Sequence, residues 1–156
     1  MSALIDNSLQ FRAMLESDLI EVMAIELSAY PFPWTKTIFR DCIRIGYCCE
    51  VLENHGRIAA YGVMSICADE AHILNLCVRP ELHGHGLARP ILEHLLDCAY
   101  TDGASTAFLE VRPSNIAAIK LYTAAGFCEL GKRPDYYPAE QGREDAILMA
   151  KELKSS

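Results

Sequence analysis

Apolar residues recur along this chain with two different spacings, which together predict both strands and helices. Residues 71–78 are apolar almost throughout, as in a central strand that is covered on both faces. Residues 87–101 place apolar side chains three and four positions apart, which is the spacing of one helical stripe. Helices mixed with adjacent strands predict a three-layer α/β or α+β domain with a mixed sheet. In chain order we expect strands at about 9–14, 47–53, 57–67, 71–78, 105–111, 127–132 and 145–152, and helices at about 18–29, 35–46, 87–101 and 115–125.

Polar residues and glycines mark the ends of several of these elements. Ser17 and Thr35 are suited to cap the first and second helices through their side-chain oxygens. Gly46 is expected to end the second helix, and Glu53-Asn54-His55-Gly56 has the composition of a hairpin turn.

Glu26 is out of place in the pattern of the first helix. The apolar stripe of that helix is predicted to contain Leu19, Met23 and Leu27, and Glu26 follows Leu19 by seven positions and Met23 by three. Such spacing puts a carboxylate inside an apolar stripe, where it is unexpected. Two interpretations remain open: Glu26 faces the substrate and holds an ammonium or a peptide backbone, or the end of the helix tilts it into solvent.

The composition fits one domain over residues 1–156 with a core of its own. The chain is 51% hydrophobic and 22% charged, and it has no apolar run long enough for a membrane span and no signal-peptide pattern, so we expect it in the cytoplasm. The net charge of −7 argues against a nucleic-acid partner and is compatible with a cationic acceptor. We expect a monomer.

Cysteine and histidine positions indicate neither disulfides nor a metal centre. The seven cysteines are odd in number and form no C-x-x-C pair, and Cys77, Cys98 and Cys128 lie in apolar runs, so we expect reduced, buried thiols. His83 and His85, with His72 on the adjoining strand, lack a fourth ligand at clear spacing, so no metal is predicted.

The most informative loop connects the strand at 71–78 to the following helix. Residues 78–89 contain Gly84 and Gly86, which let backbone N–H groups turn toward one point, and the N-terminus of the helix adds further N–H groups and its positive dipole end. Such a loop suits a pyrophosphate. It lacks the Gly-Lys-Ser/Thr of a Walker loop and, with Arg89, the third glycine of a dinucleotide fingerprint. A coenzyme A loop and an ordinary glycine turn both remain open.

Two sequence blocks in this order resemble the GNAT superfamily of N-acetyltransferases. His83-Gly84-His85-Gly86-Leu87-Ala88 is similar to the family pattern Gln/Arg-x-x-Gly-x-Gly/Ala, although His83 replaces the usual Gln or Arg. Residues 109–122, followed by Gly126-Phe127, resemble the segment after the coenzyme loop. Residues 31–34, 135–138 and 144–150 resemble the ribosomal-protein-alanine N-acetyltransferases in particular, so that the likeness covers about 9–150.

This resemblance implies a GNAT fold with a mixed, mostly antiparallel sheet of about seven strands, about four flanking helices, and acetyl-CoA as the donor. It implies Glu110 as the general base, acting through a water, and Tyr122 as the acid that protonates the leaving thiolate. Position alone would also allow a solvated strand-end carboxylate at Glu110 and a core aromatic at Tyr122. Backbone N–H groups near Cys77 and Val78 are implied to face the thioester carbonyl where the central strands splay. The residues expected to bind the donor are Leu76, Cys77, Val78, His83, Gly84, His85, Gly86, Leu87, Ala88, Arg89 and Asn115, the last of which can also cap its helix.

The acceptor implied by the resemblance is the N-terminal alanine of a small-subunit ribosomal protein. Trp34, Tyr136 and Tyr137 are expected to line the peptide cleft with Glu26, although ordinary packing of aromatic loop residues is the simpler interpretation of these three rings. The alternatives are a GNAT enzyme for other protein N-termini or for a small amine, and a coenzyme A-binding module without catalysis. No direct contact with nucleic acid or membrane is expected.

Overall fold

The computed structural model describes residues 8–153, and the predicted order of strands and helices is confirmed. Over these residues the chain forms a seven-stranded sheet with four helices, as expected. The strands are β1 Gln10–Ala13, β2 Cys48–Asn54, β3 Arg57–Cys67, β4 Glu70–Val78, β5 Thr106–Val111, β6 Cys128–Pro138 and β7 Arg143–Glu152, and the helices are α1 Leu19–Ala29, α2 Lys36–Ile45, α3 Ala88–Thr101 and α4 Ile116–Ala124.

The sheet is mixed and mostly antiparallel. Its strand order is β1-β2-β3-β4-β5-β7-β6, and β4 with β5 form the single parallel pair among the described strands. A parallel pair needs a crossover, and here α3 supplies it between β4 and β5. The parallel pair at the middle of the sheet brings the C-terminal ends of two central strands to the same edge.

Helices cover both faces of the sheet, which gives the predicted three layers. On one face, α3 and α4 pack on alternate residues of β4 and β5, among them Ala107, Leu109 and Val111. On the other face, α1 and α2 bury Ile25 and Phe39 against β2 and β3. Alternation along β5 therefore turns Phe108 and Glu110 away from the α3 side.

The ends of α2 are as predicted, whereas the start of α1 is not. Thr35 accepts a hydrogen bond from the N–H of Ile38 at 3.3 Å, and Gly46 adopts φ 97° after the last turn. The prediction that Ser17 caps α1 is wrong. Ser17 lies inside a 3₁₀ turn over Glu16–Asp18, and the Asp18 carboxylate accepts the Leu15 N–H at 2.7 Å and so fixes the entry to the helix.

The buried stripe of α1 also differs from the prediction. Leu19, Val22 and Ile25 are buried as a stripe together with Glu26, while Leu27 is 62% exposed. The helix is apolar on most sides, so its sequence alone did not identify which face meets the sheet.

The two C-terminal strands are longer than the apolar pattern indicated. We expected strands at about 127–132 and 145–152, and the structure has β6 over Cys128–Pro138 and β7 over Arg143–Glu152. β6 is an edge strand with register shifts after Glu129 and Arg133, and most of its side chains are exposed. Irregular register and exposure remove the alternation by which a strand is recognised, and an edge strand tolerates a proline such as Pro134.

All seven cysteines are free thiols in the structure. Cys77 is buried as predicted, but Cys128 and Cys67 are exposed, so the expectation of buried thiols is wrong for these two. Cys128 begins the edge strand β6, where one side of the sheet is open. None of the described helices is long and apolar enough to cross a membrane.

Candidate active site

The sheet opens between β4 and β5. The two strands pair in parallel from Glu70 with Thr106 as far as Ile73 with Leu109, and β4 then continues to Val78 without a partner on that side. Leu74 forms a bulge at this point, because Val63 pairs with Asn75 while the next residue of β3 pairs with Ile73. A bulge bends its strand. The bend in β4 therefore coincides with the end of its pairing with β5.

A cavity of about 960 Å³ occupies this opening. Its volume is at the upper end of the range for small-molecule sites. One wall is the unpaired end of β4, the second is the end of β5 with α4, and the third is the loop before α3. The segment between α1 and α2 closes the remaining side. Of the residues predicted to bind donor or acceptor, it is lined by Glu26, Trp34, Leu76, Cys77, Val78, His83, Gly84, Gly86, Leu87, Ala88, Asn115 and Tyr137, together with the predicted catalytic pair, Glu110 and Tyr122.

The glycine loop turns its backbone toward the cavity. Gly84 has φ 82° and Gly86 has φ 75°, and a Cβ at either position would meet nothing within 4 Å. The conformation, and not a lack of space, is therefore what selects glycine at both positions. No side chain caps α3 at Leu87, so the first N–H groups of the helix are available to an anion in the cavity.

Two of the predicted loop residues do not line the cavity. Arg89 is directed along α3, where its Nε lies 3.1 Å from a carboxylate oxygen of Glu93. His85 also lies outside the lining. His83 does line the cavity, and its Nε2 donates to the carbonyl oxygen of Val78 at 2.8 Å. This side chain thus ties the loop to the end of β4, although it departs from the sequence pattern expected at its position.

Alternation along β4 determines which backbone groups face the opening. The Arg79 N–H donates to the Ala59 carbonyl on β3 at 2.9 Å. Successive N–H groups of a strand point in opposite directions, so those of Val78 and Leu76 face the opening and that of Cys77 faces β3. The Leu76 carbonyl, on the same side, accepts from the hydroxyl of Tyr30 at 2.6 Å. Of the two residues expected to face a thioester, Val78 is the one whose N–H is directed at the opening.

Glu110 lines the cavity, and its two carboxylate oxygens have different surroundings. Its Oε1 lies 2.7 Å from Nε2 of His72, on the neighbouring strand and the same face of the sheet. Its Oε2 is buried and has no hydrogen-bond partner among the described residues. The nearest cation is Arg133, whose Nη2 is 4.0 Å from Oε2. A buried acceptor without a partner is costly to leave unsatisfied and is typical of a site that binds or moves a proton.

Tyr122 and Asn115 reach the cavity from α4. Tyr122 is 9% exposed and contacts the Phe127 ring edge to face at 5.8 Å. Burial raises the pKa of its phenol to about 12, which keeps it protonated at neutral pH. Asn115 caps α4 by accepting the Ala118 N–H at 3.1 Å, and it also lines the cavity. Its position is therefore compatible both with capping the helix and with the expected contact to the donor.

Glu26 forms part of the cavity floor. It is 1% exposed, so the interpretation that tilts it into solvent is wrong. Its Oε1 accepts the Tyr61 hydroxyl at 2.5 Å and the Asn75 amide at 3.2 Å, while Oε2 accepts the Trp34 N–H at 2.9 Å. The carboxylate therefore holds three elements together, and burial of Tyr61 next to it raises the pKa of that phenol.

The aromatic residues differ in their positions. Trp34 and Tyr137 line the cavity, whereas Tyr136 is 42% exposed and lies outside it, with its ring 4.9 Å from that of Tyr137. Tyr136 lies within the irregular stretch of β6 between Arg133 and Tyr137, where the register against β7 shifts.

Arg112 and His72 belong to the site but were not predicted as functional residues. The Arg112 guanidinium lies over the rings of Phe32 at 5.3 Å and Tyr137 at 4.4 Å, and it pairs with Glu144 at 3.2 Å. Alternation from Glu110 along the chain could have indicated Arg112, because residues two apart share a face. Predicting the role of His72 would have required the register of β4 against β5, which cannot be read from the sequence.

Comparisons with known proteins agree with this geometry. A family model described as acetyltransferase (GNAT) family matches residues 19–127. The [ribosomal protein bS18]-alanine N-acetyltransferase of Escherichia coli (strain K12) is 42% identical over 134 residues, which are 86% of this chain and 90% of that protein. The crystal structure of the Escherichia coli ribosomal-protein-S18-alanine N-acetyltransferase superposes with a TM-score of 0.88 at 38% identity, covering 95% of this chain and 96% of that one.

A more distant structure shares the fold. A putative acetyltransferase from Salmonella typhimurium, solved with its cofactor acetyl-CoA, has a TM-score of 0.78 at 19% identity and covers 95% of each chain.

Proposed function

This chain belongs to the acetyltransferase (GNAT) family, and from that premise we propose that it transfers the acetyl group of acetyl-CoA to the N-terminal α-amine of a protein. The acceptor that we propose is the N-terminal alanine of the small-subunit ribosomal protein bS18, the substrate in the name of the relative that is 42% identical. The observation that carries the proposal is Glu110, a carboxylate that lines the opening between β4 and β5 and has one buried oxygen without a hydrogen-bond partner among the described residues. Acetylation of ribosomal proteins puts the enzyme in the cytoplasm.

The residues present fit acetyl-CoA. Two N–H groups of β4, those of Leu76 and Val78, face the opening without a strand partner, and an extended chain containing amides can accept hydrogen bonds from them. The turn at Gly84 and Gly86 and the first turn of α3 offer N–H donors to a diphosphate. When bound, acetyl-CoA supplies an acetyl group activated as a thioester. The Val78 N–H is then available to the carbonyl oxygen as that oxygen gains charge.

Glu110 is the proposed proton acceptor for the attacking amine, through a water. An α-amine has an unperturbed pKa of about 7.7–8.0, so a large fraction is already neutral near pH 7.5 and the base needs little driving force. The proton that the nitrogen loses on forming the amide bond passes toward Oε2, the oxygen that has no hydrogen-bond partner within residues 8–153. His72 acts as a positioning residue: it binds Oε1 and thereby holds the Glu110 carboxylate beside the cavity.

Tyr122 is the proposed hydrogen-bond donor to the departing sulfur. With a pKa of about 12 the phenol is protonated at every working pH, so the donor is always present. Complete transfer of its proton to a thiolate with an ordinary pKa of about 8.5 is uphill by roughly 3–4 pK units. Tyr122 therefore stabilises the sulfur through a hydrogen bond as the carbon–sulfur bond breaks, and the free thiol takes its final proton from solvent.

The cavity mouth is the proposed acceptor cleft. Phe32, Trp34 and Tyr137 line it, and Arg112 is held between two of the rings. The Glu26 carboxylate accepts a hydrogen bond from the Trp34 N–H and so fixes the backbone at Trp34. Glu26 is therefore a positioning residue for the aromatic side of the cleft. The net charge of −7 favours approach of a positively charged N-terminus.

The test is acetylation of a peptide with the N-terminal sequence of bS18 from the source organism. We expect release of free thiol from acetyl-CoA and addition of one acetyl group to the N-terminal alanine, as read by fragmentation mass spectrometry. The control peptide carries the same sequence with a blocked N-terminus and should not react. Release with small amines but not with the peptide would support the small-amine alternative, and donor binding without any release would support the non-catalytic alternative.

A further inference from the structure

A second cluster of polar side chains lies away from the cavity, between β2 and α3. Cys48 and Glu50 are two residues apart on β2 and so share a face, and His94 and Cys98 are one helical turn apart on α3. The Glu50 carboxylate, the His94 Nε2 and the Cys98 Sγ all lie within 4.8 Å of one another. These three residues are partly buried, as is Cys48.

The contacts within the cluster converge on one atom. Nε2 of His94 lies 2.6 Å from Oε1 of Glu50 and 3.7 Å from Sγ of Cys98. A ring nitrogen either donates one hydrogen bond or accepts one. Nε2 of His94 therefore cannot form equally good hydrogen bonds with the carboxylate and with the thiol at the same time. A cation at the centre would be a common partner for all three groups.

We propose that Glu50, His94 and Cys98 form a Zn²⁺ site that joins β2 to α3. One sulfur, one imidazole nitrogen and one carboxylate oxygen, with a water as the fourth ligand, make a set that suits Zn²⁺ better than the oxygen-seeking Mg²⁺ or Ca²⁺. Neighbouring ligands of a tetrahedral zinc lie about 3.3–3.8 Å apart. The distance of 3.7 Å between His94 Nε2 and Cys98 Sγ already falls in this range. The distance of 2.6 Å between His94 Nε2 and Glu50 Oε1 is shorter and would have to increase when the metal binds.

The surroundings hold the ligands in place. The ring of Phe11, on β1, stacks on the His94 imidazole with centroids 4.1 Å apart and planes 5° from parallel, which fixes the ring orientation. The metal would connect the sheet to the helix whose first turn borders the donor loop. The histidines for which no metal was expected, His72, His83 and His85, are not part of this cluster.

The experiment titrates metal-free, full-length protein with Co²⁺ and with Zn²⁺. We expect one equivalent of each, visible absorption bands typical of tetrahedral Co²⁺, a thiolate-to-cobalt charge-transfer band in the near ultraviolet, and a rise in melting temperature with Zn²⁺. His94→Gln and Cys98→Ala should each weaken Zn²⁺ binding by about tenfold or more. The matched control, Cys67→Ser with Cys128→Ser, removes the two exposed thiols and should bind like the unmodified chain.

Several outcomes would overturn the proposal. The first is a wild-type protein that shows no thiolate-to-cobalt band. The second is Zn²⁺ binding that is retained in both His94→Gln and Cys98→Ala. The third is Zn²⁺ binding that is lost in the control variant whose exposed thiols are replaced. Melting of the metal-free variants reports whether they are folded. If either ligand variant fails to fold, the cobalt spectrum of the wild-type protein decides the question by itself.

Discussion

Nε2 of His72 lies 2.7 Å from Oε1 of Glu110, although the two residues are 38 positions apart in the chain. The contact joins the two parallel strands one residue pair before they separate at Ile73 and Leu109. His72 is on the last regular part of β4, and Glu110 is the first residue of β5 beyond the pairing. The histidine can therefore hold the carboxylate at the edge of the cavity.

Glu110→Gln should reduce kcat by about 10²-fold or more, because the amide cannot accept the proton of the attacking amine. The side chains have the same shape, so donor binding should be unchanged. Steady-state kinetics with an alanine-starting peptide measures the first quantity, and calorimetric titration with acetyl-CoA measures the second. Equal kcat values for the variant and the wild type would exclude Glu110 as the base.

His72 should act through Glu110, which a pair of substitutions can distinguish from a packing role. His72→Gln keeps a hydrogen-bond donor toward Oε1, whereas His72→Leu removes it. We expect kcat to fall roughly tenfold in the leucine variant, the loss of one hydrogen bond to a charged group, and to recover in large part with glutamine. The Michaelis constant for the peptide should change little in either. A leucine variant with wild-type kcat would remove His72 from the mechanism.

Tyr122→Phe should lower kcat by about 10²-fold while the fold is retained, because the ring keeps its contact with Phe127 and only the hydroxyl is lost. Burial raises the pKa of this phenol to about 12, so the neutral form is the one that the fold favours. Deprotonation of Tyr122 should therefore produce no fall in kcat of the wild type below pH 11. A pH–rate profile to that limit, with melting curves at each pH, checks both statements. A fall in kcat between pH 9 and 10 that is absent in Tyr122→Phe would contradict them.

Much of this arrangement could be predicted from local sequence, and the exceptions have a common cause. Thr35 and Gly46 are local signals, read from residues that are adjacent in the chain, and they were predicted correctly. The pairing of His72 with Glu110 depends on register, and the exposure of Tyr136 depends on the bulges of β6. The buried face of α1 depends on the sheet that covers it. Such properties arise between elements and leave no pattern within either one.

Glu26→Gln should destabilise the protein more than it alters catalysis. Its carboxylate accepts from Tyr61, Asn75 and Trp34, and an amide would point N–H groups at donors. We expect a loss of about 1–3 kcal/mol in the free energy of unfolding, the cost of an unsatisfied buried group. Urea denaturation measures it. A direct contact between Glu26 and the substrate would instead raise the Michaelis constant for the peptide at unchanged stability, and that result would favour the substrate role first expected for this residue.

Gly86 gives a test of why the donor loop contains glycine. Its φ of 75° costs a residue with a Cβ about 1–2 kcal/mol, and asparagine less than alanine because its side chain tolerates this conformation. Gly86→Ala should therefore weaken acetyl-CoA binding by roughly tenfold as the loop relaxes, and Gly86→Asn should weaken it less. Both side chains have room in the structure, since nothing lies within 4 Å of the position of a Cβ.

Calorimetric titration of the two Gly86 variants with acetyl-CoA discriminates between conformation and contact. If glycine were needed so that the backbone could approach the diphosphate, any Cβ would meet the ligand, and asparagine would be at least as harmful as alanine. Equal losses in both variants would therefore contradict the conformational account. A smaller loss with asparagine, together with unchanged kcat at saturating donor, would show that the loop acts through its backbone geometry on binding and not on the transfer step.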